Sequence, residues 1–222
     1  MKQLFIQAIS KFTAGLLAVC LLLFIPAGTV HFPNGWLLIG LLFIPMFFAG
    51  IIMMFRSPDL LRKRLNSKED QTEQKQVVLF SGLIFLAAFI LAGLNFRSQW
   101  IVLPVWVILT TSGIFLLSYI LYAEVMRENA YLSRTIEVQE DQQVIDTGLY
   151  GIVRHPMYMA TVFLFLSMPL VLGSPLSFLV MLLYIPIIAK RIRNEEEVLE
   201  NGLKGYREYK TRVKYKVIPG IW

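Results

Sequence analysis

Two short polar motifs carry the residues of this chain that could do chemistry. The first, residues 146–158, reads DTGLYGIVRHPMY. It supplies a cation, an imidazole and two phenol rings, at Arg154, His155, Tyr150 and Tyr158. Pro156 is typical of the first turn of a helix, and the backbone amides at a helix start favour anions such as a carboxylate. The same residues also fit an ordinary helix start at a membrane surface, with an arginine reaching the headgroups.

The second motif, KRIRNEEE over residues 190–197, continues a predicted helix out of an apolar segment. Arg191 and Glu195 stand at i and i+4 and share one helix face. A solvated helix whose charges pair only with each other is the alternative interpretation. Acidic residues beside a bilayer are costly unless they are paired or functional, which weakens that alternative. Together the two motifs suit a zwitterionic or cationic small molecule.

The elements that must position these motifs are predicted to be membrane helices. The chain has 222 residues, of which 56% are hydrophobic, in continuous apolar runs of about 20 residues, the length that a helix needs to cross hydrocarbon. The net charge of +6 is concentrated in loops, which favours a cytoplasmic membrane face over a nucleic-acid surface. Cys20 is the only cysteine, so no intrachain disulfide and no cysteine-based metal cluster can form. No metal site is predicted.

Six apolar segments are expected, over residues 12–30, 35–55, 77–94, 100–122, 157–172 and 176–189. The last two are short for full spans, and the turn residues Gly173, Ser174 and Pro175 join them into a helical hairpin. Most basic residues fall in the alternate loops and at both ends, so both termini are predicted to be cytoplasmic. The hairpin should then deliver Arg191 and Glu195 close to His155.

The order of these motifs resembles a known family. Gly148-x-Tyr150 and Arg154-His155-Pro156-x-Tyr158 precede the hairpin, and Arg191-x-x-x-Glu195-Glu196 and Tyr206-x-x-Tyr209 follow it. This pattern, over residues 139–222, is similar to the isoprenylcysteine carboxyl methyltransferase family and the related phospholipid methyltransferases. Those are multi-pass membrane enzymes that use S-adenosylmethionine. The resemblance implies an all-α polytopic transmembrane bundle with a cytoplasmic-face cofactor pocket formed by the C-terminal half.

The apolar segments divide the chain, and the resemblance assigns roles. Residues 1–122 would form four transmembrane segments, and residues 123–222 a catalytic region with the hairpin at 157–189 and a cytoplasmic C-terminal helix. Arg191 and Glu195 would be catalytic, and Arg191 would bind the substrate. The residues implied in binding the cofactor are Gln139, Val144, Ile145, Tyr150, His155, Pro156, Met157, Tyr158, Glu195 and Glu196. Where the family commonly has glycine two residues after the second tyrosine, this chain has Ala160.

The implied chemistry needs little from the protein beyond binding and positioning. A C-terminal carboxyl group has a pKa of roughly 3.5, so a carboxylate acceptor is already ionised at neutral pH and no general base is required. Arg191 would hold the carboxylate, Tyr150 and Tyr158 would face the sulfonium, and Glu195 would pair with the ammonium group of the cofactor. His155 is predicted to bind and not to remove a proton. The expected acceptor is a lipidic or amphiphilic molecule, resembling an isoprenylated cysteine, that enters from the bilayer.

Three other interpretations stay open. A sterol-reductase-like enzyme would bind NADPH and usually carries Asn at the position of Met157. A transporter or channel would place ionisable residues inside several spans, and the first four segments have almost none. A structural protein of the same fold would be marked by loss of His155 or Glu195, and both are present.

Overall fold

The computed structural model describes residues 2–65, 72–132, 136 and 138–222. Within these residues the chain forms nine α-helices and a short 3-10 turn at Gly148–Gly151. The helices are α1 Lys2–Ala27, α2 Pro33–Arg56, α3 Pro58–Leu65, α4 Thr72–Ser98, α5 Val105–Glu128, α6 Pro156–Val171, α7 Pro175–Met181, α8 Tyr184–Gly202 and α9 Tyr206–Arg212. The predicted all-α class is confirmed.

The long apolar helices make the protein a polytopic membrane bundle. In the described part of the chain, five segments are long and apolar enough to cross a bilayer: Lys2–Ala27, Pro33–Arg56, Lys75–Ser98, Val105–Glu128 and Pro175–Gly202. The helix α6 has 16 residues, or about 24 Å at 1.5 Å per residue, against roughly 30 Å of hydrocarbon. The prediction that the first limb of the hairpin is short for a full span therefore agrees with the structure. The same prediction for the second limb, residues 176–189, is wrong, because α7 and α8 belong to one apolar segment of 28 residues, Pro175–Gly202.

Several predicted segment boundaries differ from the helix bounds, among them the starts of the first and fourth segments. The first segment was expected to begin at residue 12, but α1 begins at Lys2, because Leu4 is buried against Met54 and Leu61 and extends the helix past the apolar run. The fourth segment was expected to begin at residue 100, but α5 begins at Val105. Residues 101–104 are not helical. The N-cap of α5 is Pro104, whose backbone is extended.

The predicted division at residues 122 and 123 stays a prediction. The helix α5 runs through this point to Glu128 and packs along α6. A side chain from α5, Tyr119, also donates a hydrogen bond to the Leu42 carbonyl of α2 at 2.8 Å. The same helix thus contacts elements on both sides of the predicted boundary.

The turn between α6 and α7 is closed by local hydrogen bonds. Gly173 adopts φ +76°, and its N–H donates to the Leu170 carbonyl while the Ser174 N–H reaches the Pro169 carbonyl. This pair of bonds is the Schellman motif, which satisfies the last carbonyls of a helix. The Ser174 side chain then caps α7 by accepting a bond from the Ser177 N–H at 3.3 Å. Gly173 and Ser174 therefore close the turn, and Pro175 stands in the first turn of α7.

The returning limb of the hairpin is interrupted between α7 and α8. Proline has no N–H, so Pro186 cannot bond the Leu182 carbonyl as a helical residue would. The Ile185 N–H donates to that carbonyl instead, at 3.0 Å, in a tighter turn. The helix resumes at Tyr184 and continues to Gly202, which carries the second motif out of the apolar region.

The N-terminal helices pack closely where a glycine allows it. A Cβ atom on Gly93 of α4 would lie 2.7 Å from the Leu23 carbonyl oxygen of α1, closer than real contacts. Small residues of this kind let membrane helices approach each other. The α1 and α4 backbones therefore meet at Gly93.

Gly93→Ala should destabilise the bundle by about 1–3 kcal/mol, because the added methyl group overpacks the α1–α4 contact. Gly82 is a matched control on the same helix, since a Cβ atom there meets nothing within 4 Å. Gly82→Ala should leave stability unchanged or raise it by up to about 1 kcal/mol through helix propensity. Thermal unfolding in one non-ionic detergent measures both variants, and equal melting temperatures would contradict the close approach.

Candidate functional site

The first motif is attached to the end of α5 through a glycine. Gly148 adopts φ +50°, and a Cβ atom there would clash with Glu128 Oε1. The Leu149 N–H donates to Glu128 Oε2 at 3.1 Å. Only glycine fits this close, left-handed position. The carboxylate at the end of α5 therefore sets where the motif begins.

Tyr150 is held at both its hydroxyl and its carbonyl. Asn129 Nδ2 donates to the Tyr150 hydroxyl at 2.9 Å, and the Tyr209 hydroxyl donates to the Tyr150 carbonyl at 2.7 Å. Burial raises the pKa of both tyrosines, so both phenols are neutral at physiological pH. The phenol ring of Tyr150 is thus fixed as a wall of the site.

The C-terminal segment pairs with the second half of the first motif. The Arg154 N–H donates to the Tyr215 carbonyl at 2.9 Å, and the His155 N–H donates to the Lys216 carbonyl at 2.8 Å. Val153 and Tyr215 form a parallel bridge. The helix α6 begins immediately after, at Pro156, which confirms the predicted first-turn proline. The segment after α9 therefore fixes the backbone on which His155 stands.

A buried carboxylate joins the two motifs. Glu196 Oε1 accepts from Arg154 Nε at 2.8 Å and lies 3.2 Å from His155 Nε2. Its other oxygen lies 3.3 Å from Lys216 Nζ and 3.7 Å from Lys210 Nζ. The Glu196 side chain is 5% exposed, and burying a carboxylate is tolerated because these cations surround it.

Next to this ion pair, side chains from both motifs form a hydrogen-bonded chain. Arg191 Nε donates to the Tyr158 hydroxyl at 3.0 Å, and that hydroxyl donates to Glu195 Oε2. His155 Nδ1 lies 4.0 Å from the other oxygen of Glu195. The hairpin therefore places Arg191 and Glu195 beside His155.

These groups face one cavity of about 100 Å³. The predicted site residues that line it are Val144, Ile145, Tyr150, His155, Pro156, Met157, Tyr158, Arg191 and Glu195. The side chains of Leu199, Leu203, Tyr206 and Tyr209 form part of its wall. The cavity thus combines a guanidinium, a carboxylate, an imidazole and several phenol rings with apolar surface.

Two predicted site residues lie outside this cavity. The Glu196 carboxylate belongs to the ion pair with Arg154, and Gln139 Oε1 accepts from Lys63 Nζ at 2.6 Å. Their contact with a cofactor stays a prediction. In this structure Glu196 joins the motifs, and Gln139 joins the loop after α5 to α3.

Sequence reasoning missed Tyr206 as a site residue. Tyr206 lines the cavity, and its hydroxyl is buried without a hydrogen-bond partner in the part of the chain that the structure describes. Burial raises the pKa of this hydroxyl, so it is a neutral donor with nothing to donate to. The spacing Tyr206-x-x-Tyr209 was the available signal, since it puts both rings on one face of α9.

Comparison with known proteins agrees with this geometry. Residues 106–201 match the family profile of the isoprenylcysteine carboxyl methyltransferase (ICMT) family. The resemblance to this family is confirmed for that region. The matched region begins inside α5, earlier than the predicted start at residue 139, and stops before Tyr206. It contains both motifs and the whole hairpin.

A curated protein of Mus musculus, a delta(14)-sterol reductase, is also similar. It is 30% identical over 91 residues, which are 40% of this chain and 22% of the reductase. The chain therefore matches about a fifth of the length of this curated relative.

Glu196→Gln should destabilise the protein by about 3–5 kcal/mol, because the neutral amide leaves buried Arg154 without its counter-charge. The neighbouring Glu197 is exposed, so Glu197→Gln is a control with the same change of charge. Unfolding midpoints in detergent measure both. A small effect of Glu196→Gln, similar to that of the control, would mean that the buried ion pair does not hold the motifs together.

Proposed function

We propose that this protein is an S-adenosylmethionine-dependent membrane methyltransferase that methylates a carboxylate on a lipidic acceptor resembling an isoprenylated cysteine. One observation carries the proposal. Arg191, Tyr158 and Glu195 are linked by hydrogen bonds along the wall of one cavity, beside His155. The cavity thus presents a group for an acceptor carboxylate and a group for a cationic cofactor side by side. The ICMT match over residues 106–201 supports the same reaction class.

The residues of the cavity suit the cofactor chemically. The Glu195 side chain is 27% exposed and offers a carboxylate to the ammonium group. The phenol rings of Tyr150 and Tyr158 can stabilise a sulfonium by cation–π attraction. The hydroxyl of Tyr206 is a buried donor that needs an acceptor, and a ligand with nitrogen or oxygen atoms would supply one.

The volume of the cavity adds a condition. At about 100 Å³ it is smaller than the roughly 300–1,000 Å³ of ligand pockets. A ligand of the size of S-adenosylmethionine therefore requires one wall to move outward. Leu132, Ile136 and Val144 form a part of the wall that lies outside the helices.

The bound cofactor supplies an electrophilic methyl group on a sulfonium. Arg191 holds the acceptor carboxylate, which is ionised at neutral pH and needs no proton removed. His155 lies between Glu195 and Glu196 and positions the site. It does not act as a base, since an ionised carboxylate acceptor has no proton to remove. The apolar wall formed by Leu199 and Leu203 excludes water, which would weaken the nucleophile by solvating it.

The proposal places the cavity and both termini on the cytoplasmic side of the membrane. The support is the concentration of lysine and arginine in α3, in the second motif and in the C-terminal segment. The cavity lies at the start of α6 and near the end of α8, where the apolar hairpin leaves the hydrocarbon. A lipidic acceptor can therefore keep its chain in the bilayer while its polar end reaches Arg191.

A second candidate is a sterol-reductase-like enzyme that uses NADPH. The 30% identity to the mouse delta(14)-sterol reductase favours it. Calorimetric titration of the detergent-solubilised protein separates the two candidates. Binding of S-adenosylhomocysteine but not of NADPH supports the methyltransferase. Binding of NADPH but not of S-adenosylhomocysteine supports the reductase.

Glu195→Gln should weaken S-adenosylhomocysteine binding by about 10- to 100-fold, because a hydrogen bond to a charged group contributes about 1.5–3 kcal/mol. Arg191→Ala should leave that binding within a few fold and remove methyl transfer to a carboxylate amphiphile. Glu197→Gln, on an exposed face of the same helix, is the matched control and should change neither quantity. If Arg191→Ala removes cofactor binding while Glu195→Gln retains it, the two roles are assigned the wrong way round.

Tyr206→Phe should have opposite effects on stability and binding. It removes a hydroxyl that is buried without a partner among the described residues, so the melting temperature should stay equal or rise. Affinity for S-adenosylhomocysteine should fall about fivefold, because one lost hydrogen bond costs about 1 kcal/mol.

Tyr209→Phe is the matched comparison for this test. It removes the donor to the Tyr150 carbonyl, so it should lower stability by about 1–3 kcal/mol. Unchanged affinity in Tyr206→Phe would show that the ligand does not use this hydroxyl.

A further inference from the structure

Arg64, the penultimate residue of α3, is a partly buried cation that contacts no carboxylate among the described residues. Its Nε atom is buried and has no hydrogen-bond partner in that part of the chain. Its Nη2 atom reaches the Met157 sulfur, at 3.5 Å, and thioethers are weak acceptors. The guanidinium carbon lies 5.4 Å from the centre of the Tyr122 ring, which orients the side chain.

Other arginines nearby are paired, which distinguishes Arg64. Arg62, on the same helix, contacts Asp59 at 3.3 Å, and buried Arg154 contacts Glu196 at 2.8 Å. Arginine cannot lose its charge in a protein, so burial without a counter-anion is costly. A cation in this condition at the edge of a ligand cavity indicates an anion that is supplied by the ligand.

The side chain of Met157 lies between Arg64 and the cavity. Met157 lines the cavity and its sulfur touches the guanidinium. The neighbouring Lys63 bonds Gln139, which ties α3 to the loop beside the cavity. An incoming anion would have to displace only the flexible thioether of Met157.

We infer that Arg64 is an anion-binding residue at the edge of this cavity, and that it pairs with a carboxylate or phosphate group of the acceptor. The acceptor is then an anionic amphiphile whose acidic group meets cations on two sides, from Arg191 of α8 and from Arg64 of α3. That this amphiphile is a methyl acceptor rests on the proposed function. The preference for anionic amphiphiles can be measured whether or not the protein transfers a methyl group. A fork of guanidinium donors suits both kinds of acidic group.

The test is calorimetric titration of the full chain in a non-ionic detergent with dodecyl phosphate, laurate and dodecanol, in the presence and absence of S-adenosylhomocysteine. The wild type should prefer the two acidic amphiphiles to the alcohol. Arg64→Gln should weaken binding of the preferred acid by about tenfold, because it removes a charge-assisted hydrogen bond. The affinity for dodecanol should stay unchanged. Arg64→Lys should restore part of the loss, since it keeps the charge without the fork.

Arg62→Gln is the matched control, because it removes the same charge from an exposed position on the same helix. It should change acid binding by less than about twofold, as expected for a screened surface charge. Equal losses in Arg62→Gln and Arg64→Gln, or an unchanged preference in Arg64→Gln, would overturn the inference. Equally tight binding of inorganic phosphate would also overturn it, since the site would then take a free anion and not an amphiphile.

The outcome also separates this inference from the proposed function. If the wild type fails to bind S-adenosylhomocysteine but Arg64→Gln still loses its preference for acids, the methyltransferase proposal fails and the anion site stands. If the wild type and Arg64→Gln bind S-adenosylhomocysteine equally well and also bind the acidic amphiphiles equally well, the anion site is wrong. The methyltransferase proposal is then unaffected. Thermal unfolding of each variant shows whether loss of the Tyr122 contact has disturbed the fold.

Discussion

The site depends on the buried ion pair between Glu196 and Arg154. A carboxylate next to an apolar bundle must be neutralised where it stands, and the cations Arg154, Lys210 and Lys216 do this. The pairing sets the rotation of α8 about its own axis. Adjacent helix positions point about 100° apart, so turning Glu196 inward directs Glu195 toward the cavity. The same contact therefore joins the motifs and orients the neighbouring carboxylate.

Much of the arrangement could be predicted because its signals are local. Apolar runs of membrane length indicate the helices, Pro156 begins α6, and Gly173 with Ser174 and Pro175 closes the hairpin. A hairpin of two apolar limbs returns the chain to the side from which it started. The meeting of the two motifs follows from that connectivity alone, without knowledge of any side-chain contact.

Other features could not be predicted because they depend on contacts between distant segments. The run of three glutamates does not reveal which carboxylate is buried, since only the packing of α8 decides that Glu196 faces Arg154. The start of α1 depends on where α2 and α3 place Met54 and Leu61. Arg64 belongs to a basic stretch that is typical of any cytoplasmic loop, and only the structure brings it beside Met157. Tyr206 carried a spacing signal but no indication of the surroundings of its hydroxyl.

The pairing of residues 153–155 with the C-terminal segment has a consequence for the order in which the protein is made. Carbonyl groups of Tyr215 and Lys216 accept the backbone hydrogen bonds of Arg154 and His155. A ribosome synthesises these acceptors only after both limbs of the hairpin have been made. The helices can enter the bilayer before then, but the backbone around His155 reaches its final geometry only after the last basic stretch has emerged. Completion of the site therefore requires that both limbs of the hairpin have already been synthesised.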